Sequence, residues 1–194
     1  MVHPVRVLYV ARHGESDWNV EGRWQGHTDI PLNEAGRTQA RELAVALRPH
    51  GLAAVVSSDL ARARETAQIV AGALGVPRTY EDPRLRERSF GIFEGLTRRE
   101  CEQRHPEEWQ VWTQERRPPR GAEPHDALAV RVVAGAERVA LEVATSGAPA
   151  LVVTHGAALR ALVEAITGCL PPSVQNGDVW RITHAGGFVG ARQV

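Results

Sequence analysis

The sequence predicts an α/β fold: a three-layer α/β/α sandwich around a mainly parallel, mixed central sheet of about six strands. Three observations point there. Strand-like and helix-like segments alternate along the chain, which implies a mainly parallel sheet covered on both faces. The last two strand-like segments, 179–183 and 188–192, flank Gly186-Gly187, a hairpin signal for two closing strands. The chain has 194 residues, 43% of them hydrophobic, so one domain over residues 1–194 can bury a core without staples.

The elements follow in order. Residues 5–10 form a short β-branched run ending at Arg12-His13-Gly14. Residues 34–48 place Ala40, Leu43, Ala44 and Leu47 at helical spacing, with Asn33 as N-cap and Pro49 as stop. Residues 53–57 read as a buried strand. Residues 60–74 read as a helix capped by Asp59 or Ser58 and stopped by Gly75 and Pro77. A short strand is expected at 78–80. From 82 to 124 periodicity weakens, although Thr97 and Glu100 have capping-box spacing and 116–121 is a proline-rich turn. Leu128, Val132, Val139 and Val143 mark a long amphipathic helix. Residues 150–153 read as a buried strand leading to Thr154-His155-Gly156, and 157–166 as a helix ending at Gly168.

Composition narrows the chemistry. Lys+Arg 23 balances Asp+Glu 23, so no global field draws the chain to nucleic acid or an anionic membrane. Every Lys/Arg-type cation is arginine, which excludes a Walker-A lysine, a Schiff-base lysine and pyridoxal chemistry. Cys101 and Cys169 form no CxxC pair, which argues against zinc and excludes a disulfide framework, leaving at most one bridge. The apolar run at 7–11 is too short for a signal-peptide core or a membrane span, so the expectation is a soluble, unprocessed, cytoplasmic protein.

Ligands of such sheets bind at the carboxyl ends of strands. Two of those ends carry the same signature, strand then histidine then glycine, at His13 and His155. The glycine lets the backbone turn and clears space above the ring. His155-Gly156 also opens a helix, where free N–H groups favour an anion. Arg12 supplies a planar fork of donors suited to phosphate. A neutral imidazole beside fixed cations is a nucleophile toward phosphorus, and phosphoryl transfer asks mainly for positioning and complementary charge.

Arg12-His13-Gly14-Glu15 with Trp18-Asn19 resembles the signature of the histidine phosphatase superfamily, the phosphoglycerate mutase-like family. Further stretches resemble the family's later motifs in the right order. They are Ser57-Ser58-Asp59-Leu60 with Arg62, Ala63, Glu65 and Thr66; then Leu85-Arg86-Glu87-Arg88-Ser89-Phe90-Gly91 with Glu94-Gly95-Leu96; then Thr154-His155-Gly156. The resemblance implies the phosphoglycerate mutase-like fold and a catalytic set of His13, Glu87 and His155. His13 would take the phosphoryl group as phosphohistidine. Arg12, Arg62 and His155 would form a cationic pocket, with donors from Asn19 and the Gly156 backbone. Glu87 would protonate the leaving oxygen and then activate water. Gln25 and Gly26 fall where the family's substrate-contacting loop lies. No cofactor and no metal are implied.

Duller readings exist for the same residues. His13 and His155 could be polar residues at strand ends. Arg62, beside Arg64 and Glu65, could lie on a solvated helix face. Glu87, among Arg84, Arg86 and Arg88, could be an ion-pair partner, and Glu15 reads as structural. The other histidines, at 3, 27, 50, 105, 125 and 184, lack metal-ligand spacing, and only His27 is a candidate for the pocket mouth. Trp24, Trp109 and Trp112 suit core or lid packing more than substrate contact.

The family holds phosphatases and mutases. The resemblance implies that a mutase would use a lysine after the third motif, which this chain lacks, with Arg98 or Arg99 as imperfect substitutes. Arg116-Arg117 resembles a mutase arginine pair, whereas 119–131 is similar to the phosphatase branch, except that Gly121-Ala122-Glu123-Pro124 lacks its serine. The favoured expectation is a metal-independent phosphomonoesterase of a small phosphorylated metabolite. A cofactor-dependent phosphoglycerate mutase comes second and a non-catalytic phosphate-binding module third. A homodimer stays open.

Overall fold

The computed structural model describes residues 4–142 and 147–194. His3 and Val143 lie outside them. Six strands form one sheet: β1 (Arg6–Arg12), β2 (Ala54–Ser57), β3 (Thr79–Glu81), β4 (Ala150–Thr154), β5 (Val179–His184) and β6 (Phe188–Gln193). Their spatial order is β3-β2-β4-β1-β5-β6. The first four are mutually parallel; β5 runs antiparallel to β1, and β6 to β5.

Strand side chains alternate in direction, so each buried strand feeds two cores. Leu8, Val10, Val56, Val152 and Ile182 face one side. There they meet Leu128, Val132 and Val139 of α6 (His125–Glu142) and Leu159 and Leu162 of α7 (Gly156–Thr167). Tyr9, Ala11, Val55, Leu151 and Val153 face the other. They pack on Leu43 and Leu47 of α2 (Glu34–Leu47) and on Ala63, Ala67 and Val70 of α3 (Ala61–Leu74). Truncating one such leucine to alanine costs about 2–5 kcal/mol.

The remaining helices are short. The four-residue α1 (Asp17–Val20) follows the first strand end, and α4 (Arg98–Arg104) and α5 (Pro106–Glu115) fill the stretch of weak periodicity. Thr97 and Glu100 do form the expected capping box. Asn33 caps α2 by accepting from the Gly36 N–H. Phe90, Phe93 and Cys101 make a third apolar cluster with Trp24, Trp109 and Trp112, above the sheet's carboxyl edge.

One cap departs from expectation. The N-cap of α3 is Leu60, not Ser58 or Asp59. Asp29, from a distant loop, accepts from the Ala61 N–H at 2.6 Å, while Asp59 is held by an ion pair with Arg86. A charge-assisted bond to a guanidinium is stronger than a cap, so the tertiary partner wins. Cys101 is buried, Cys169 is exposed, and both are free thiols. No helix among the described residues is long and apolar enough to cross a membrane.

Candidate active site

The site grows out of one strand pairing. β1 and β4 are parallel neighbours in the register Arg12↔Thr154, so the residue after each strand end is a histidine. The His13 N–H extends the ladder to the Thr154 carbonyl at 2.9 Å. Neighbouring strands lie about 4.8 Å apart. The two imidazoles accordingly meet edge to face, with ring centroids 5.1 Å apart. Both are buried.

Two hydrogen bonds define the His13 tautomer. Its Nδ1 lies 2.6 Å from the Gly14 carbonyl, which only accepts, so Nδ1 carries the proton. Arg62 Nε donates to His13 Nε2 at 3.2 Å, which leaves the lone pair on Nε2. Burial, then the charges of Arg62 and Arg12, hold the ring well below the ordinary histidine range. His13 is therefore a neutral imidazole with an oriented lone pair. His155 is also pushed well below its ordinary range, by burial and then by Arg62, His13 and Arg12. Burial and the two nearby guanidiniums favour the neutral ring at His155. Neither ring nitrogen of His155 has a partner among the described residues.

Arg62 is not on a solvated helix face. It is fully buried in the first turn of α3, donating to the carbonyls of Gly26 and Thr28 at 2.9 Å each. Burial brings its guanidinium down to about 10, against the pull of Glu87 and Asp29, so it stays charged at neutral pH. Its neighbours Arg64 and Glu65 point elsewhere, to Glu81 and Arg37. Arg12 donates to the Val174 carbonyl at 2.6 Å, and its buried Nε has no partner among the described residues.

Glu87 arrives from a segment without a strand. Its carboxylate caps α7, accepting from the N–H groups of Ala157 at 3.2 Å and Ala158 at 3.1 Å, and from Arg88 N–H at 2.9 Å. None of the three flanking arginine side chains pairs with it: Arg84 goes to Asp82, Arg86 to Asp59 and Arg88 to the Glu123 carbonyl. A cavity of about 410 Å³ brings Arg12, His13, Asn19, Gln25, Gly26, Arg62, Glu87 and Gly156 onto one wall system.

A model of the histidine phosphatase superfamily (branch 1) matches residues 8–186. The chain belongs to the histidine phosphatase superfamily. Phosphoglycerate mutase-like protein 4 of Arabidopsis thaliana is 39% identical over 161 residues, 81% of this chain and 69% of the relative. The metal-independent phosphoserine phosphatase of the same plant is 37% identical over 167 residues, 84% and 69% of the two chains. A mycobacterial glucosyl-3-phosphoglycerate phosphatase, solved with vanadate, superposes with a TM-score of 0.83 at 31% identity, covering 97% of each chain. The fold is that of phosphoglycerate mutase-like histidine phosphatases, and the chain is a phosphatase-type enzyme.

Within this histidine phosphatase, Asn19 is aimed by its neighbours. Its Oδ1 accepts from the Ser16 N–H and hydroxyl at 3.0 Å each, which turns the amide nitrogen outward. Gly26 has φ +52°, and a Cβ there would collide with the Glu94 carboxylate, so glycine is required. Its carbonyl serves Arg62. Gln25 is buried with Oε1 unpartnered among the described residues. His27 reaches the Glu87 carbonyl at 2.8 Å and so supports the loop rather than facing the pocket. Glu15 is structural, bound to Asn33. Trp24 lines the pocket, whereas Trp109 packs on Phe93. Among the described residues no three His, Cys, Asp or Glu side chains converge as a metal site.

Two residues escaped sequence reasoning. Arg131 of α6 donates to the carbonyls of Arg84, Arg86 and Glu87 and pairs with Glu123, pinning the whole Glu87 segment. Asn176 donates to the His13 carbonyl at 2.9 Å. The dipeptide Asn176-Gly177 signals a turn; nothing local to either residue says what it touches.

Proposed function

We propose that the protein is a metal-independent phosphomonoesterase that hydrolyses a small phosphorylated metabolite through a phosphohistidine on His13. The observation that carries this reading is the His13 tautomer: Nδ1–H tied to Gly14, Nε2 unprotonated and facing the cavity beside Arg62. In the first step Nε2 attacks phosphorus, the Nε2–P bond forms, and the P–O bond to the alcohol breaks. The leaving oxygen takes a proton from Glu87. In the second step water attacks phosphorus, Glu87 takes the water proton, and the Nε2–P bond breaks to release orthophosphate. One carboxyl serves both steps because the second reverses the proton demand of the first.

The other groups stabilise charge. Arg12, Arg62, the Asn19 amide and the Gly156 N–H in the first turn of α7 surround the phosphoryl oxygens. A bound dianion also draws a proton onto His155, whose unpartnered nitrogens then donate to it. These guanidiniums supply the positive charge that a metal supplies elsewhere. The mycobacterial relative binds vanadate, an oxyanion chemically akin to phosphate.

A phosphoglycerate mutase reading is favoured by the name of the Arabidopsis relative and by Arg98, which lines the same cavity. Against it, Arg116 and Arg117 do not act as a pair on the pocket: Arg117 is bound to Glu115 on the outer surface. Turnover of 4-nitrophenyl phosphate in the presence of chelator, with the radiolabel of a phosphorylated substrate trapped on His13, supports the phosphatase. Interconversion of phosphoglycerates dependent on added bisphosphoglycerate, without net phosphate release, overturns it in favour of the mutase.

A further inference from the structure

A second cavity, of about 570 Å³, opens off the phosphate pocket and shares Trp24, Phe90, Ala157 and Arg160 with it. This volume suits a ring-sized group and far exceeds orthophosphate. One wall is aromatic. Trp24 packs on Phe90 with centroids 4.6 Å apart, and both stand edge-on to Trp112, at 6.1 and 6.4 Å.

The same cavity is rich in unpaired cations. The Arg88 guanidinium lies 4.7 Å from the centroid of the Trp112 ring and donates to the Glu123 carbonyl. Arg160 donates to the Pro171 carbonyl. Arg116 closes α5 in the left-handed region at φ 56°, the one non-glycine residue there among the described residues. None of the three is in an ion pair among the described residues. Glu164, the wall's carboxylate, is bound to His125 at 2.8 Å. Of the three arginines, Arg88 is buried, Arg160 half-buried and Arg116 exposed, and a buried guanidinium without a carboxylate, as at Arg88, is costly unless a ligand supplies the anion.

We propose that this annex binds the alcohol part of the substrate, and that this part is an aromatic ring bearing a carboxylate. The inference rests on the phosphatase reading for the order of binding: phosphoryl group on His13, leaving group in the annex. The ring stacks against the Trp24–Phe90–Trp112 wall. The carboxylate takes the planar forks of Arg88 and Arg116, with Arg160 at the junction of the two cavities.

Phosphonates test this without turnover. Methylphosphonate, benzylphosphonate and 4-carboxybenzylphosphonate are titrated calorimetrically into the wild type and into Trp112→Ala, Trp112→Leu, Arg88→Met and Arg116→Ala. In the wild type each added group is expected to tighten binding about tenfold. Both Trp112 variants are expected to erase most of the benzyl-over-methyl ratio. Arg88→Met and Arg116→Ala are expected to erase most of the carboxybenzyl-over-benzyl ratio. Ratios within one variant are read, so a smaller folded fraction does not mimic the result. Three phosphonates of equal affinity, or variants that weaken all three alike, overturn the annex. Phenyl phosphate hydrolysis is followed in parallel. If it proceeds while the three ligands bind alike, the annex falls and the phosphatase stands. If it fails while the ratios hold, the phosphatase reading falls and the annex stands only as a binding site for a carboxylate-bearing ring. If no phosphonate binds, the annex is refuted, and the hydrolysis result decides the phosphatase separately.

Discussion

His13 and His155 stand on the backbone of adjacent parallel strands, whereas Glu87 stands on a segment between two 3-10 turns and owes its position to side chains. The floor of the pocket is a continuation of the sheet: the register Arg12↔Thr154 places both imidazoles before any side chain has chosen a rotamer. The Glu87 wall is assembled otherwise. Arg131 grips the carbonyls of Arg84, Arg86 and Glu87, His27 also bonds the Glu87 carbonyl, and the first N–H groups of α7 hold its carboxylate. A ladder of strand hydrogen bonds is cooperative and hard to perturb one residue at a time. A clamp made by one guanidinium is not.

The largest effects should therefore come from the chemistry on the floor. His13→Ala removes the proposed nucleophile and should lower kcat by about 10⁴-fold or more, with no label retained on the protein. Phosphate release and acid-quench labelling check it. Arg62→Ala and His155→Ala should each cost about 10²–10³-fold in kcat, the range for one preorganised charge-stabilising donor. A cost below tenfold at either histidine would break the comparison.

Glu87→Gln should cost about 10²–10⁴-fold with an alkyl phosphate. The loss should shrink with 4-nitrophenyl phosphate, whose leaving oxygen needs no proton. A loss equal for both substrates would remove Glu87 from the acid role. Arg131→Met sharpens the contrast between floor and wall. It strips donors from three carbonyls and should destabilise the fold by about 1–3 kcal/mol, as read by urea unfolding. Its kcat should fall more for alkyl than for aryl phosphates, because Glu87 alone is displaced. Equal losses on the two would mean that the floor moves as well.

The smallest effect concerns pH. His13 and His155 are held neutral in the folded state, both well below their ordinary range. In the unfolded chain they titrate near pH 6.5. Below that pH the unfolded state binds protons that the folded state refuses, so stability falls as pH drops. The loss continues until the folded-state values are reached. Tm should decline between pH 7 and 5, and less steeply in His155→Asn. An unchanged slope in that variant would show that His155 is not held neutral.

Much of this was legible beforehand. The histidine-glycine signatures, the Asn33 cap, the capping box at Thr97 and the hairpin around Gly186-Gly187 are local, and local rules read them. Alternating strands and helices likewise imply a mainly parallel sheet with both faces covered, and the hairpin signal its antiparallel part. The α3 cap was misread because Asp29 and Arg86, both distant in sequence, compete for the groups involved. Asn176, Arg131 and the annex were invisible for the same reason: each depends on contacts between segments far apart in the chain. Periodicity and capping report interactions within a few residues, and so they determined the elements and the strand ends that bear His13 and His155. Which strand lies beside which, and hence whether those rings share one ligand, is decided by burying both faces of the sheet at once, a condition only the folded chain meets.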